Sequence, residues 1–153
     1  MPTYASRSLW TSAFVPPPPV FDQATLDWVA AVIANSGTVS DTREQLVDDL
    51  IVGLKDDGVW SKLDRLWLFA AENENAAEVD LVADELATPN SSPFFTPNQG
   101  YTGNGSTSFV DSNFNPTTAS GPNFVQNSGT FFAWSNTNGL TAGEIGGGLA
   151  NDN

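Results

Sequence analysis

The chain has 153 residues, a net charge of −13 at pH 7, no histidine and no cysteine. So anionic a chain lacks the Lys and Arg that displace counterions from a polyanion, which argues against nucleic acid and anionic membranes as partners. The missing cysteines exclude a disulfide framework and thiolate metal sites, and the missing histidines remove the commonest general base and zinc ligand. At this length one fair-sized core or two small ones can form. No apolar run nears the roughly 18 residues of a membrane span, and residues 1–20 lack the continuous apolar core of a secretory signal. We therefore expect a soluble chain that is not exported by that route.

Residues 1–15 form an arm with Tyr4, Arg7, Leu9, Trp10, Phe14 and Val15, too apolar for an inert tail. Its aromatic content fits two readings: it folds back on its own helical region, or it docks on a partner chain as an extended peptide. Pro16 to Pro19 follow, and consecutive prolines favour a stiff polyproline II rod, so residues 16–20 read as a linker.

Residues 21–86 read as a helical module. Asp22 is a plausible N-cap, and Phe21 with Leu26 has the spacing of a hydrophobic staple. Trp28, Val29, Val32 and Ile33 give an apolar stripe that stops at Gly37. Asp41 and Glu44 have capping-box spacing for a second helix, in which Leu46, Val47, Leu50, Ile51 and Leu54 recur before Gly58. A third helix is expected over about residues 60–71, with Leu63, Leu66, Trp67 and Phe69 apolar, then a short fourth turn around 76–81. Together these elements predict a small helical bundle. Asp48, Asp49, Asp56 and Asp57 fall where a solvated helix face would put them. A calcium loop at Asp56-Asp57-Gly58 would need twelve-residue ligand spacing ending in Glu, which is absent.

The composition changes near Leu86. No Lys or Arg follows Arg65, and the 67 residues 87–153 hold only Asp111, Glu144 and Asp152 as charges, while 38 of them are Asn, Ser, Thr or Gly. Pro89, Pro93 and Pro97 punctuate short apolar pieces, and Gly103-Asn104-Gly105 and Asn138-Gly139 offer the positive φ angles of hairpin turns. Ser108-Phe109-Val110-Asp111 and Thr130-Phe131-Phe132-Ala133-Trp134 read as strands, and Glu144-Ile145 could begin another before Gly146 to Gly148, a turn or linker. The fold class predicted is α+β: a small N-terminal helical bundle followed by a short-stranded, incomplete β-sandwich over 87–153.

Several stretches resemble a group of tailed-bacteriophage and prophage virion proteins of tail-fibre or surface-decoration type. They are Gly58-Val59-Trp60-Ser61-Lys62-Leu63-Asp64-Arg65-Leu66, Ala70-Ala71, Ala76-Ala77, Gly100-Tyr101-Thr102-Gly103-Asn104-Gly105-Ser106-Thr107-Ser108-Phe109, and Phe114-Asn115-Pro116. The resemblance spans roughly residues 47–137 and leaves the arm outside. It implies a laminin-G or concanavalin-like β region behind the helical module, a virion location, other virion proteins as partners, and homo-oligomerisation, a trimer first. Such a sandwich needs more than a dozen strands and only three to five fit, so we expect either a longer product or strands shared with a neighbouring chain.

The predicted activity is assembly, with no enzyme chemistry, cofactor or metal. A glycosidase needs two carboxyl groups about 5–10 Å apart, and the tail offers Asp111 and Glu144 alone. The arm residues Tyr4, Arg7, Leu9, Trp10 and Phe14 are the candidates for particle docking. The alternative is a lectin-like module that binds a host surface glycan through Tyr101, Asn104, Asp111 and Trp134. Against it, Trp134 with Phe131 and Phe132 better suits a sandwich core, and Tyr101 a turn-flanking position.

Overall fold

The computed structural model describes residues 19–119, 122–125 and 127–134. The docking-arm candidates, Asn138-Gly139 and Glu144 to Gly148 lie outside the described residues. Helices come first and strands after, so the fold is α+β.

Helix α1 (Gln23–Ala34) starts as the sequence predicts, with the Asp22 carboxylate accepting from the Ala24 N–H at 2.8 Å. Its end is a Schellman turn: Gly37 N–H donates to the Val32 carbonyl and Ser36 N–H to that of Ile33. The left-handed residue is Ser36 (φ 65°), not Gly37. Gly37 is required for a different reason, since a Cβ there would lie 2.7 Å from Val32 Cγ1.

Helix α2 (Asp41–Asp56) is capped one residue before the predicted cap, Asp41. Ser40 is the N-cap and accepts from Arg43 N–H at 3.2 Å, while Asp41 and Glu44 lie in the first turn, where their charges complement the helix dipole. A distant carboxylate decides the shift. Ser40 donates its N–H and its hydroxyl to Glu72 at 3.0 and 2.6 Å, which fixes Ser40 outside the helix. The helix ends in a second Schellman turn with Gly58 at φ 66°. The two helices are tied where they meet by Asp48, which accepts from Asp22 N–H at 2.7 Å and Thr25 Oγ1 at 2.8 Å. Lys55 adds an ion pair to Asp22 at 2.6 Å.

The third predicted helix does not form. A single 3-10 turn, Trp60–Lys62, gives way to extended chain at Leu63. Asp80 draws the segment out: its carboxylate accepts from Leu66 N–H at 2.6 Å, and Leu81 N–H donates to the Leu66 carbonyl at 2.9 Å. Leu66 and Leu68 then pack on the core, while Trp67 and Phe69, two residues apart, stack on each other at 6.4 Å. That alternation belongs to an extended chain. The fourth turn is α3 (Glu74–Ala77), earlier than predicted, capped by Asn73, and Val79 and Asp80 already form bridges to Leu86 and Trp67.

The core lies between the α1–α2 hairpin and this irregular segment. Trp28, Val32, Val47, Ile51, Ala71, Ala76, Ala77, Val79 and Leu81 are buried together, and the half-buried Phe95 and Tyr101 of the strand region pack against them. Composition changes at Leu86, yet packing continues across it. Ala87 is buried, its N–H donates to the Glu78 carbonyl at 2.8 Å, and Asn98 N–H donates to the Ala71 carbonyl at 2.7 Å.

The strands are β1 (Thr88–Asn90), β2 (Phe94–Thr96), β3 (Gly100–Thr102) and β4 (Phe109–Asp111). They pair antiparallel in a nested order, β2 with β3 inside β1 with β4, with Phe95 opposite Tyr101 and Pro89 opposite Val110. Gly103-Asn104-Gly105 therefore leads from one ladder to the other and closes no hairpin of its own. Thr130 to Trp134, predicted as a strand, lies outside every described ladder. Its approach is anchored by Asp64, which accepts from Asn123 and Phe124 N–H groups at 2.7 Å each. Among the described residues, no helix is long and apolar enough to cross a membrane.

Candidate functional site

Among the described residues, a shallow, open concave surface lies between the start of α3 and the β1–β2 connection. Two adjoining hollows share Glu74, Ser92 and Pro93 and form one open trough. One wall is acidic, from Glu72, Glu74 and Glu78. The other is apolar, from Pro93, Phe94, Phe95 and Pro97.

Local chemistry explains each wall. Asn73 caps α3 and sets Glu74 in its first turn, and Asn35 of α1 holds this helix by bonds to the Asn75 carbonyl at 2.9 Å and Glu78 Oε2 at 3.1 Å. Between β1 and β2 the chain turns through Ser91 (φ 54°) and Ser92 (φ 49°), two consecutive left-handed residues that are not glycine. Such a conformation costs about 1 kcal/mol or more per residue. The turn leaves Phe94 72% exposed at the rim, while Phe95, the next residue along the pleat, faces the core.

The carboxylates differ in engagement. Glu72 is held below the usual carboxylate range by its hydrogen bonds from Ser40, with Arg43 nearby, and stays ionised. Glu74 and Glu78 form no ion pair among the described residues. Their charges also reach Tyr101, whose hydroxyl is pushed up first by burial and then by Glu78 and Glu74.

The four glycan candidates are not gathered at the trough, and neither hollow is lined by any of them. Tyr101 is half-buried with its ring edge-on to Phe95 at 5.2 Å and to Phe69 at 5.8 Å, and its buried hydroxyl finds no described partner. The Asn104 carbonyl oxygen accepts from the N–H groups of Ser106, Thr107 and Ser108 at 2.9, 2.9 and 3.1 Å, so the side chain holds its own loop. Asp111 stands in the other ladder, exposed, and accepts from Asn113 N–H at 2.8 Å. Trp134 is 93% exposed, with Phe131 and Phe132 more than half exposed beside it in sequence. Glu144, the second carboxylate of the glycosidase comparison, lies outside the described residues.

Nothing in the sequence singles out the acidic wall, because Glu72, Glu74 and Glu78 match no motif spacing and are brought beside Pro93 only by the fold. The regular Pro89, Pro93, Pro97 spacing was the available signal for the opposite wall. No known protein family matches the chain, and no curated protein or solved structure is significantly similar to it.

Proposed function

We propose that the protein is a structural component of a bacteriophage virion, a fibre or surface-decoration subunit that acts by assembly. The observation that carries the assembly reading is the exposure of aromatic side chains on the strand side: Phe94, Phe109, Phe131, Phe132 and Trp134 are each more than half exposed. Gathered against a partner, such side chains would supply the apolar area that marks a surface covered by another. The virion assignment rests on the resemblance at Gly58 to Leu66 and at Gly100 to Phe109, which fall just after α2, through the 3-10 turn, and across β3 to β4. In this reading the arm and helical region attach the protein and the strand region faces outward.

The test is particle composition. Density-gradient-purified particles from the strain that encodes the chain should yield its tryptic peptide Glu44 to Lys55 in the particle band, enriched over the free-protein fraction. Detection only among free proteins would sink the virion reading.

Exposure of Trp134 favours a second reading, glycan binding, because an exposed indole can stack on the apolar face of a sugar. On a glycan array the wild type should bind and Trp134→Ala should lose the signal. Equal signal from both, or none from either, removes the lectin reading.

A further inference from the structure

The charge distribution of the chain is as divided as its composition. Residues 1–21 hold Arg7 and no acid, so this segment carries +1 while residues 22–153 carry −14. Of the five cations, Arg43 bonds Asn98 at 2.6 Å, Lys55 pairs with Asp22, and Arg65 pairs with Glu85 at 2.7 Å beside Asp80. The arm is cationic and rich in aromatic residues, with Tyr4, Trp10 and Phe14 around Arg7 and four prolines behind them; residues 60–69, with Lys62, Arg65, Trp60, Trp67 and Phe69, share that character but are built into the fold.

The trough has the complementary surface. Acids are plentiful elsewhere on the protein, but on α2 Asp41, Asp49 and Asp56 are simply exposed along the helix, and Asp48 is buried against α1. At the trough, Glu74 and Glu78 line one hollow with Pro89 and Pro93, and Glu74 lines the adjoining one with Phe94 and Pro97, so a cation and an aromatic ring can be received side by side. An extended peptide binds such a groove by laying alternate side chains into it.

We propose that the trough receives the 1–15 arm of a second copy of this chain, with Arg7 between Glu74 and Glu78 and an arm aromatic against Phe94. The described chain begins at the N-terminal end of α1, beside Lys55, whereas the trough lies at the opposite end, where Asn35 meets Asn75 and Glu78. The start of α1 and the trough thus lie at different ends of this helix. An arm passed to a neighbour makes a head-to-tail contact, which closes into a ring or continues as a filament. The inference rests on the assembly reading above and supplies its contact.

The experiment uses the full chain in solution, without particles, so its failure leaves the particle-composition test standing. Light scattering during gel filtration should show the wild type associating as concentration rises to about 100 µM, a range that a small groove contact can reach. Arg7→Glu, and separately Glu74→Gln with Glu78→Gln, should each weaken self-association at least about tenfold. Unchanged circular dichroism and melting would certify the fold of both variants. Mixed together, the two should form a dimer and nothing larger, since one has only a working trough and the other only a working arm. A wild type that stays monomeric, variants that associate like the wild type, or a mixture that stays monomeric would each overturn the proposal.

Discussion

A chain ended at Leu86 is expected not to fold, although it keeps both long helices and all nine residues of the buried core cluster. What it loses is the cover over that cluster. Phe95 and Tyr101 pack against it from β2 and β3, and burying such aromatic side chains contributes about 1–3 kcal/mol apiece. Two backbone bonds also disappear, Ala87 to Glu78 and Asn98 to Ala71, which leaves the Glu78 and Ala71 carbonyls without those donors. Arg43 loses Asn98, and the Leu86 carbonyl loses the Asn113 side-chain amide at 2.9 Å. Set against a total stability of about 5–15 kcal/mol for a typical domain, these losses suffice to unfold the remainder. The measurement is an amide proton–nitrogen spectrum with a thermal melt of residues 19–86 beside the full chain. The full chain should melt cooperatively, and the fragment should give narrow amide dispersion without a transition. A dispersed spectrum and a cooperative melt from the fragment would show an independent helical domain, as composition alone suggests.

Composition and packing part company at Leu86 because composition reports where charge sits, whereas packing is set by where apolar side chains meet. The two long helices were legible for a local reason: Asp22, Gly58 and the stripes through Trp28 and Val47 are all signals within a few residues of what they specify. The segment after Trp60 was not. Leu66-Trp67-Leu68-Phe69 is apolar at every position, so a helical period and an alternating one fit it equally. The choice is made by Asp80, fourteen residues from Leu66. The cap of α2 shifted for the same kind of reason, through Glu72, thirty-two residues from Ser40. In the tail the turn residues were real but their partners were not readable, since a Gly-Asn-Gly signal says where the chain bends and nothing about the nesting of β1 with β4. Among the site candidates, Asn104 spends its side chain on its own loop and Tyr101 is half-buried; only Trp134 has the exposure that glycan stacking requires.

Asp80→Ala is expected to destabilise the protein by about 3–5 kcal/mol, the range for breaking a buried charged network. The side chain is fully buried and organises three backbone N–H groups: Leu66 at 2.6 Å, Val82 at 3.2 Å and Ala83 at 2.9 Å. Arg65 stands 3.6 Å away and reaches on to Glu85 and the Phe114 ring, so the same carboxylate orders the chain on both sides of α3. Alanine would leave those donors buried without an acceptor, and melting should fall by about 15 °C or more for a domain of this size. Asp80→Asn keeps the shape and one acceptor, but it sets an amide against the remaining donor and removes the charge facing Arg65, so its loss should be smaller. A pH series separates the charge from the shape. Burial pushes the Asp80 carboxyl up, against its backbone bonds and Arg65, and burial also raises Asp84, with Asp27 adding to it. With folded values above the unfolded ones, ionisation of these groups costs stability at neutral pH, and that cost fades as pH falls through the folded values toward the unfolded ones. Asp22, held low by Lys55, and Glu72, held low by Ser40, act in the opposite sense: their stabilisation is present above the unfolded values and is lost as pH falls through the folded ones. Wild-type melting should therefore rise as pH falls through the raised folded value of Asp80 and drop at lower pH, where Asp22 and Glu72 take up protons, with the rise flattened in Asp80→Asn. If Asp80→Ala melts within about 3 °C of the wild type, Asp80 does not organise this part of the fold, and the extended course of Leu63 to Ala70 must have another cause.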